Sequence, residues 1–491
     1  MNHKSIIAID QGTTSTRAIR FGADGAVLAT AAQELPQYYP QPGWVEQDPE
    51  DIWAGTLHCL LGVMDDDAVA IGITNQRETI ILWDRETGRP LANAIVWQDR
   101  RTAGLCTAMR DDGLEPVIRK KTGLLLDPYF SATKLRWLLD HVEGARQRAL
   151  QGKLAAGTVD SFLLWRLTGG RVHATDVTNA SRTMLYDIHR QCWDNDLLAM
   201  FDIPESILPV VYDNVHIFGE TDAALTGRSL PISGMAGDQQ AALIGQRCFA
   251  PGMIKSTYGT GCFLLANTGA KPVLSSNRLL TSPAYRFGGE AAYALEGSIF
   301  VAGAAVKWLR DTLGLIASAE DTARLAASVP DNHGVHLVPA FVGLGAPHWR
   351  DDAKAAITGM TLDTGPAHFA RAALEAAAFQ TGDLLDAMMA DGVSAPSLIR
   401  VDGGMATNDW FVQFLVDQIG IPVERPAHHE TTAFGAAMLA GMGVGLWGRD
   451  GPTEVARDPG RFHPAIDATQ RADRQRAWQA AVRLVLAKEQ G

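Results

Sequence analysis

Short apolar runs separated by polar turns mark the start of the chain. Residues 6–9 are apolar, residues 10–17 are mainly polar with a glycine at Gly12, and residues 18–21 are β-prone again. This pattern predicts two strands joined by a tight turn. After a Gly-Ala-Asp-Gly turn, residues 26–31 are predicted to form a third strand.

The same strand–turn–strand pattern returns near the middle of the chain. Residues 253–265 place Gly and Thr between two β-prone flanks, after a Pro-Gly pair that indicates a boundary near 249–252. The two halves, 1–249 and 250–491, would each open with the same kind of hairpin. We therefore predict a duplicated α/β architecture with a cleft between two domains.

Strand-like and helix-like segments alternate through both halves. A helix is predicted to begin at Pro49, because Asp48 is a suitable N-cap and proline is favoured at the first helical position. Further strands are predicted at 69–74, 79–83, 155–158, 292–295 and 397–402. Further helices are predicted at 131–140, 160–167, 298–313, 366–390, 408–418 and 432–442, with a charged helical surface element after Pro452.

Composition narrows the classes of partner. The net charge of −12 argues against nucleic acid or an anionic membrane as the main partner. The longest apolar stretch, 433–448, falls short of the ~20 residues of a membrane span and is expected to be a closely packed buried helix. Five cysteines without a CxxC pair favour reduced thiols in the cytoplasm over disulfides or a zinc site, and Asp10 interrupts the N-terminal apolar run too early for a signal peptide.

The first turn carries groups that can bind phosphate. Thr13, Thr14 and Ser15 offer hydroxyls, Arg17 offers a guanidinium, and Asp10 could hold a hydrated Mg²⁺ at the end of the first strand. The alternative is a surface hairpin with a Ser/Thr-rich tip. The chain contains no G-x-x-x-x-G-K-[ST] sequence, and its G-x-G-x-x-G at 443–448 follows a helix-like stretch, so that match is interpreted as packing at a helix end.

Two segments carry groups suited to an alcohol. Arg77 can donate and Glu78 can accept, as a polyol hydroxyl requires, although the two residues taken alone would favour a surface ion pair. Asp238, followed by Gln239, begins a small-residue helix after a predicted strand. It is either a helix N-cap or the general base that accepts a proton from an alcohol at the cleft.

Three aromatic residues and one loop have roles that the local pattern leaves open. Trp97 and Phe263 are either core residues or an apolar wall for a ligand's C–H face, and Tyr129 lies at a rigid turn before a helix, where a packing anchor is the commoner role. The loop after the strand 397–402 contains a Gly pair and Asn408, which is either an ordinary connection or a place where a flat ring approaches the backbone and Asn408 holds a ribose or base.

Motifs in the same order along nearly the whole chain resemble the glycerol kinases, a group of the carbohydrate-kinase family with the actin/Hsp70-like ATPase fold. They are the segments 10–17, 42–46, 73–79, 127–131, 179–184, 237–240, 258–262 and 343–347. The resemblance implies two actin-like (ribonuclease H-like) domains with an interdomain cleft. The Arg77-Glu78 and Asp127-Pro128-Tyr129 signatures favour glycerol over xylulose or gluconate.

The resemblance also implies roles for individual residues. Asp10 is assigned to Mg²⁺ and Asp238 to the general base. Contacts to the nucleotide are assigned to Thr13, Thr14, Ser15, Arg17, Thr260, Gly303, Gly404 and Asn408. Contacts to glycerol are assigned to Arg77, Glu78, Trp97, Tyr129, Asp238, Gln239 and Phe263, the aromatic residues Trp97 and Phe263 flanking its carbon chain.

The chain departs from the family pattern at two places. Lys307 stands where the family pattern has a Gln, one helical turn after Gly303. A contact between Lys307 and the nucleotide is still expected, but it would be made by an ammonium and not by an amide. The Gly-Gly-Thr-Arg effector loop is not matched by residues 225–230, which puts inhibition by fructose bisphosphate in doubt.

These features predict a cytoplasmic kinase of glycerol degradation that uses ATP and Mg²⁺. It would transfer phosphate in line to glycerol, giving ADP and sn-glycerol 3-phosphate, with no nucleic-acid partner and no membrane insertion. The resemblance further implies a homo-oligomer, a dimer or tetramer. Two alternatives stay open: a kinase for another polyol or ketose, and a non-catalytic, nucleotide-gated binding module.

Overall fold

A computed structural model describes residues 4–350, 352–426, 430–452 and 460–487. Up to residue 249 the strands are β1 Ser5–Gln11, β2 Ser15–Gly22, β3 Val27–Glu34, β4 Glu46–Gln47, β5 Ala68–Asn75, β6 Ile80–Asp84, β7 Ala94–Ile95, β8 Leu154–Thr158, β9 Ala174–Asp176, β10 Tyr186–Asp187, β11 Cys192–Trp193, β12 Val210–Tyr212, β13 Val215–Glu220 and β14 Pro231–Gly237. The helices are α1 Pro49–Val63, α2 Ala103–Asp111, α3 Glu115–Thr122, α4 Ser131–His141, α5 Ala145–Leu150, α6 Val159–Leu167, α7 Val177–Ala180, α8 Asn195–Phe201, α9 Ala223–Thr226 and α10 Asp238–Gly245.

Beyond residue 249 the described strands are β15 Ile254–Tyr258, β16 Cys262–Gly269, β17 Leu280–Phe287, β18 Glu290–Ile299, β19 His336–Val338, β20 Ala356–Thr358, β21 Ile399–Asp402, β22 Val423–Arg425 and β23 Gly460–Phe462. The described helices are α11 Gly303–Asp311, α12 Asp321–Ala327, α13 Pro366–Ala390, α14 Asp409–Ile419, α15 Thr431–Gly443 and α16 Ala468–Leu486.

Two large mixed sheets repeat one local arrangement. The first has the order β13-β14-β5-β1-β2-β3, and the second has the order β17-β18-β16-β15-β21-β22-β23. In the first, the hairpin β1–β2 is antiparallel and β5 pairs parallel to β1; in the second, the hairpin β15–β16 is antiparallel and β21 pairs parallel to β15. The predicted hairpins and the duplicated α/β architecture are confirmed.

Helices cover both faces of the first sheet. Side chains alternate along a strand, so Ile7 and Ile9 of β1 join a core with α1 and α6, while Ile6 and Ala8 join a core with α10 and α15. The late helix α15 lies so close to β5 that a Cβ added to Gly72 would come within 2.1 Å of the Ala436 carbonyl oxygen. The predicted buried helix within 433–448 is therefore present, and it packs on the sheet of the other half.

The predicted helix at 298–313 is wrong at its start. Ser298 and Ile299 end β18, where Ser298 pairs with Phe263, and the helix α11 begins only at Gly303. Pairing with β16 across the sheet outweighs the local helical pattern. The N-cap role of Asp48 is confirmed, because its side chain accepts a hydrogen bond from the Glu50 N–H. In the tail, residues 453–459 lie outside the described residues, and β23 precedes the helix α16.

The domain boundary between residues 249 and 250 stays a prediction.

Among the described residues, no helix is both long enough and apolar enough to cross a bilayer.

Candidate active site

A cavity of about 1030 Å³ lies between the two hairpins and is lined by residues from both sheets. It brings together most of the residues predicted from the sequence. They are Thr13, Thr14, Arg77, Glu78, Trp97, Tyr129, Asp238, Gln239, Thr260, Phe263, Gly303, Lys307, Gly404 and Asn408.

The first hairpin presents its turn to this cavity. The Gly12 N–H donates to the Ser15 carbonyl, which closes the turn and leaves Thr13 and Thr14 at its tip. The turn is braced from two sides: Gln47 Nε2 donates to the Thr13 carbonyl at 2.6 Å, and Trp97 Nε1 donates to Thr13 Oγ1 at 2.9 Å. Thr13 thus joins the predicted phosphate turn to the predicted apolar wall.

Three predicted residues lie outside the lining of the cavity. Ser15 opens the strand β2, and Arg17 donates from Nη1 to both carboxylate oxygens of Glu430, at 3.0 and 2.9 Å. Asp10 is the second-last residue of β1, where burial raises its pKa to about 7, with Arg17 opposing and Asp238 and Glu430 adding to the shift. The assignments of these three residues to phosphate and metal stay predictions.

Arg77 and Glu78 stand at a strained junction after β5. Glu78 has φ 62°, a left-handed conformation that costs a non-glycine residue about 1–3 kcal/mol and is typical of functional sites. Ser131 Oγ donates to the Glu78 carbonyl at 2.9 Å. Both side chains are buried, so the surface ion pair considered above does not apply.

Several carboxylates surround the Arg77 guanidinium. It donates to Glu296 at 2.6 and 2.9 Å and to Gln240 Oε1 at 3.3 Å, and its Nε lies 3.2 Å from Asp238 Oδ1. Burial alone would lower the pKa of Arg77, but Glu296 and Glu78 raise it above its usual value. Burial raises the pKa of Glu78, against the effect of Arg182 and Arg77.

Asp238 is the first residue of α10, directly after β14. Its Oδ1 accepts from the Gln239 N–H at 2.7 Å and contacts Arg77, and its side chain is 30% exposed toward the cavity. The Asp238 pKa is raised by burial, with Arg77 opposing. The N-cap of α10 is Gly237, so Asp238 does not cap the helix, and its role as general base stays a prediction.

The three aromatic residues form one wall. The Trp97 ring lies edge-on to Tyr129 at 5.5 Å and to Phe263 at 6.4 Å, measured between centroids. Tyr129 is buried, whereas Trp97 and Phe263 are partly exposed to the cavity. The wall therefore combines core packing with an apolar surface that faces the cavity, and its contact with a ligand stays a prediction.

The second hairpin faces the N-terminus of α11. The Gly303 N–H donates to the Gly259 carbonyl at 3.0 Å, and the Ala304 N–H donates to the Thr260 carbonyl at 3.0 Å. A Cβ at Gly303 would come within 2.6 Å of the Gly259 oxygen, so this close approach requires glycine. Lys307 lies one turn further along α11 and also lines the cavity.

Asn408 has a structural role. Its Oδ1 accepts from the Phe411 N–H at 3.1 Å as the N-cap of α14, and its Nδ2 donates to Thr322 Oγ1 at 3.3 Å. Gly404 begins a short 3₁₀ turn before it. Both residues line the cavity, and their contact with a nucleotide stays a prediction.

Sequence reasoning missed three buried charges behind the site: Arg182, Lys255 and Glu296. Lys255 donates to Gln239 and, at 3.0 Å, to Thr257 Oγ1, and burial lowers its pKa. Glu296 was detectable, because it is the single charged residue among the apolar and small residues 291–300, and a buried charge requires a partner.

Comparison with known proteins gives one consistent family. The model of the N-terminal domain of the FGGY family of carbohydrate kinases matches residues 5–245, and that of its C-terminal domain matches residues 254–444. A curated glycerol kinase of Rhodospirillum centenum is 60% identical over 97% of both chains. One of Gluconobacter oxydans is 58% identical over 98% of this chain and 95% of its own.

Solved structures agree in fold. A glycerol kinase of Plasmodium falciparum with ADP has a TM-score of 0.92 and 39% identity, covering 99% of this chain and 98% of its own. A ligand-bound xylulose kinase of Lactobacillus acidophilus has a TM-score of 0.88 at 22% identity, covering 99% of both chains. The fold is thus that of the sugar kinases, the actin/Hsp70-like ATPase fold with a cleft between its halves.

Proposed function

The chain belongs to the FGGY family of carbohydrate kinases, and we propose that it transfers the γ-phosphoryl group of ATP to a terminal hydroxyl of glycerol, giving ADP and sn-glycerol 3-phosphate. The observation that carries this proposal is the convergence of Arg77, Glu78 and Asp238 in one cavity between two hairpins. Curated relatives at 58–60% identity that are named glycerol kinase support glycerol as the acceptor.

The polar groups match a small polyol. Arg77 donates, Glu78 accepts, and Gln239 can do both, so neighbouring hydroxyls each find a partner of the right kind. The wall of Trp97 and Phe263 would cover the carbon chain of the alcohol. This division of labour is typical of small-molecule sites, which combine an apolar surface with a few placed polar groups.

Asp238 would accept the proton of the attacking hydroxyl. Arg77 Nε and the Gln239 N–H both contact Oδ1, which fixes the carboxylate and leaves Oδ2 for the hydroxyl. Burial raises the Asp238 pKa, which makes it a stronger base than an exposed aspartate. Most of the remaining catalysis in phosphoryl transfer is positioning and charge stabilisation.

The phosphates would lie between the hairpins. The hydroxyls of Thr13, Thr14 and Thr260 and the Lys307 ammonium are the donors that line this part of the cavity. Asp10 would hold Mg²⁺, because it is a carboxylate near the end of the first hairpin strand and Mg²⁺ prefers oxygen ligands. Bound there, Mg²⁺ would offset negative charge on the phosphates.

Cell compartment and assembly complete the proposal. Four of the five cysteines are buried and all five are free, which supports a reducing compartment, the cytoplasm. We propose a homo-oligomer, a dimer or tetramer, on the family resemblance alone. Light scattering of the purified protein measures its mass directly.

A substrate panel tests the proposed acceptor. Purified protein with ATP and Mg²⁺ is given glycerol, longer polyols, xylulose or gluconate, and ADP release is followed with a coupled assay. Glycerol should give the highest kcat/KM. A higher value for a ketose would assign the chain to another sugar kinase, and ADP release independent of any alcohol would favour a nucleotide-gated binding module.

A further inference from the structure

Glu296 is held rigidly in the second sheet. It lies in β18, where its backbone is opposite Leu265 of β16 on one side and Leu280 of β17 on the other. Its side chain is 1% exposed and does not line the cavity. A residue in the middle of a sheet whose backbone is paired on both sides has little freedom to move.

That carboxylate binds two arginines from the first half of the chain. Arg77 donates to it from Nη1 at 2.6 Å and from Nη2 at 2.9 Å, a two-pronged pairing that fixes the plane of the guanidinium. Arg182 Nη2 donates to its Oε1 at 3.1 Å. Such charge-assisted bonds are among the strongest that a buried side chain makes.

Arg182 carries the contact on to Glu78. Its Nε donates to Glu78 Oε1 at 2.6 Å, and its Nη1 donates to Ser282 Oγ at 3.1 Å. The hydrogen bond that the Glu78 carboxylate accepts engages Oε1, so Oε2 is the oxygen that would meet a hydroxyl in the cavity. Arg182 itself does not line the cavity.

We propose that Glu296 is a positioning residue for the acceptor alcohol: from the second sheet it orients Arg77 directly and Glu78 through Arg182. The inference rests on the proposed function, because it concerns the site that would bind glycerol. Arg77 and Glu78, which would bind the alcohol, belong to the first half of the chain, and Glu296, which would orient them, belongs to the second half. It gives Glu296 no contact with substrate.

The arrangement predicts what loss of the Glu296 charge would do. The remaining carboxylates near Arg77 are Asp238, 3.2 Å away, and Glu78, 3.8 Å away. A guanidinium released from Glu296 would turn toward these groups, and it would then occupy the acceptors that the alcohol needs. Among the described residues, Thr260 and Gly303 on the nucleotide side make no hydrogen bond or ion pair with this network.

The test is the Glu296→Gln variant, assayed for the KM of glycerol at saturating ATP and for the KM of ATP at saturating glycerol. The KM of glycerol should rise about 10- to 100-fold, the effect of losing hydrogen bonds between charged groups. The KM of ATP should stay within about threefold, well below one tenfold step in affinity. Glu290→Gln, an exposed glutamate of the same strand, is the matched control and should change neither value.

A second variant keeps the test decisive if Glu296→Gln does not fold. Glu296→Asp retains the charge but shortens the side chain by one methylene, so its KM for glycerol should lie between the parent and Gln values. An unchanged KM for glycerol in the folded variants, or an equal rise in both KM values, would overturn the inference. A parent protein that does not phosphorylate glycerol would instead refute the proposed function.

Discussion

Asp238 is the single residue on which the proposed chemistry depends most. Its position at the first turn of α10 is fixed by the β14 strand before it, and its Oδ1 is held by Arg77 and by the Gln239 N–H. Those contacts orient the carboxylate. A variant that keeps the shape but loses the basicity therefore isolates the chemical step.

Asp238→Asn is expected to lower kcat by about 10²- to 10⁴-fold, the usual contribution of a general base. The KM for glycerol should change much less, because the amide can still hydrogen-bond to the hydroxyl. Steady-state kinetics with glycerol and ATP measure both. Asp196→Asn, an exposed aspartate in the first turn of α8, is the control; parental turnover in Asp238→Asn would refute the assignment.

Side chains at the ends of elements are the ones that sequence could single out. Arg77, Glu78 and Asp238 stand where a strand ends or a helix begins, and the structure excludes the surface ion pair and the N-cap that local pattern also allowed. The contact between Arg182 and Glu296 could not be predicted from local pattern, because the two residues are 114 positions apart in the sequence and meet only in the folded protein.

At the scale of elements, the N-terminus of α11 is packed against the second hairpin through Gly303. Alanine there would place a Cβ 2.6 Å from the Gly259 carbonyl oxygen, and backbone cannot yield as a flexible side chain can. We expect Gly303→Ala to raise the KM for ATP about tenfold, roughly 1.4 kcal/mol of affinity. The KM for glycerol should change much less.

Initial-rate kinetics measure both constants for Gly303→Ala. The control is Gly104→Ala in α2, where an added Cβ meets nothing within 4 Å, so kinetics should match the parent. Equal KM values for ATP in Gly303→Ala and the parent would show that the approach of α11 to the hairpin does not shape the nucleotide site.

The start of α11 also shows the limit of local pattern. Residues 301–309 have the apolar spacing of a helix, but Ser298 and Ile299 before them pair with β16. A sheet partner about 35 residues away in sequence is invisible to a local window, so the helix was predicted five residues too early. By contrast α13 spans Pro366–Ala390 as predicted, because it is long and strongly helical.

Packing around His173 affects the stability of the fold in acid. The His173 ring lies edge-on to the rings of Trp83 and Trp165. Burial lowers the pKa of His173 to about 4, and Arg85 acts in the same direction. Between pH 4 and 6.5 the folded protein keeps this imidazole neutral while the unfolded chain binds a proton. Stability is therefore full above pH 6.5 and falls as the pH drops toward 4.

His173→Gln should be less sensitive to acid over that interval than the parent. Its urea midpoint should fall less between pH 7 and pH 4.5, whatever its absolute stability. His58→Gln, an exposed histidine of α1, should keep the parental slope. An identical pH dependence in His173→Gln and the parent would contradict the proposed origin of the acid sensitivity.

At the scale of the whole molecule, the two halves are interlocked. The helix α15, from the second half, closes one face of the first sheet, and Glu296 reaches Arg77 and Arg182 across the boundary. The repeated hairpins made two α/β halves predictable from the sequence. The packing of α15 on the first sheet was not predictable, because an apolar run indicates that a helix is buried but not which sheet it packs against.

The central claim is that the cavity transfers the γ-phosphoryl group of ATP to an alcohol. Phosphorus NMR of the protein with ATP, Mg²⁺ and glycerol tests this most directly. The account predicts that a phosphate monoester of glycerol grows in step with ADP and that neither forms without glycerol. ADP accompanied by inorganic phosphate, at a rate that glycerol does not change, would contradict it.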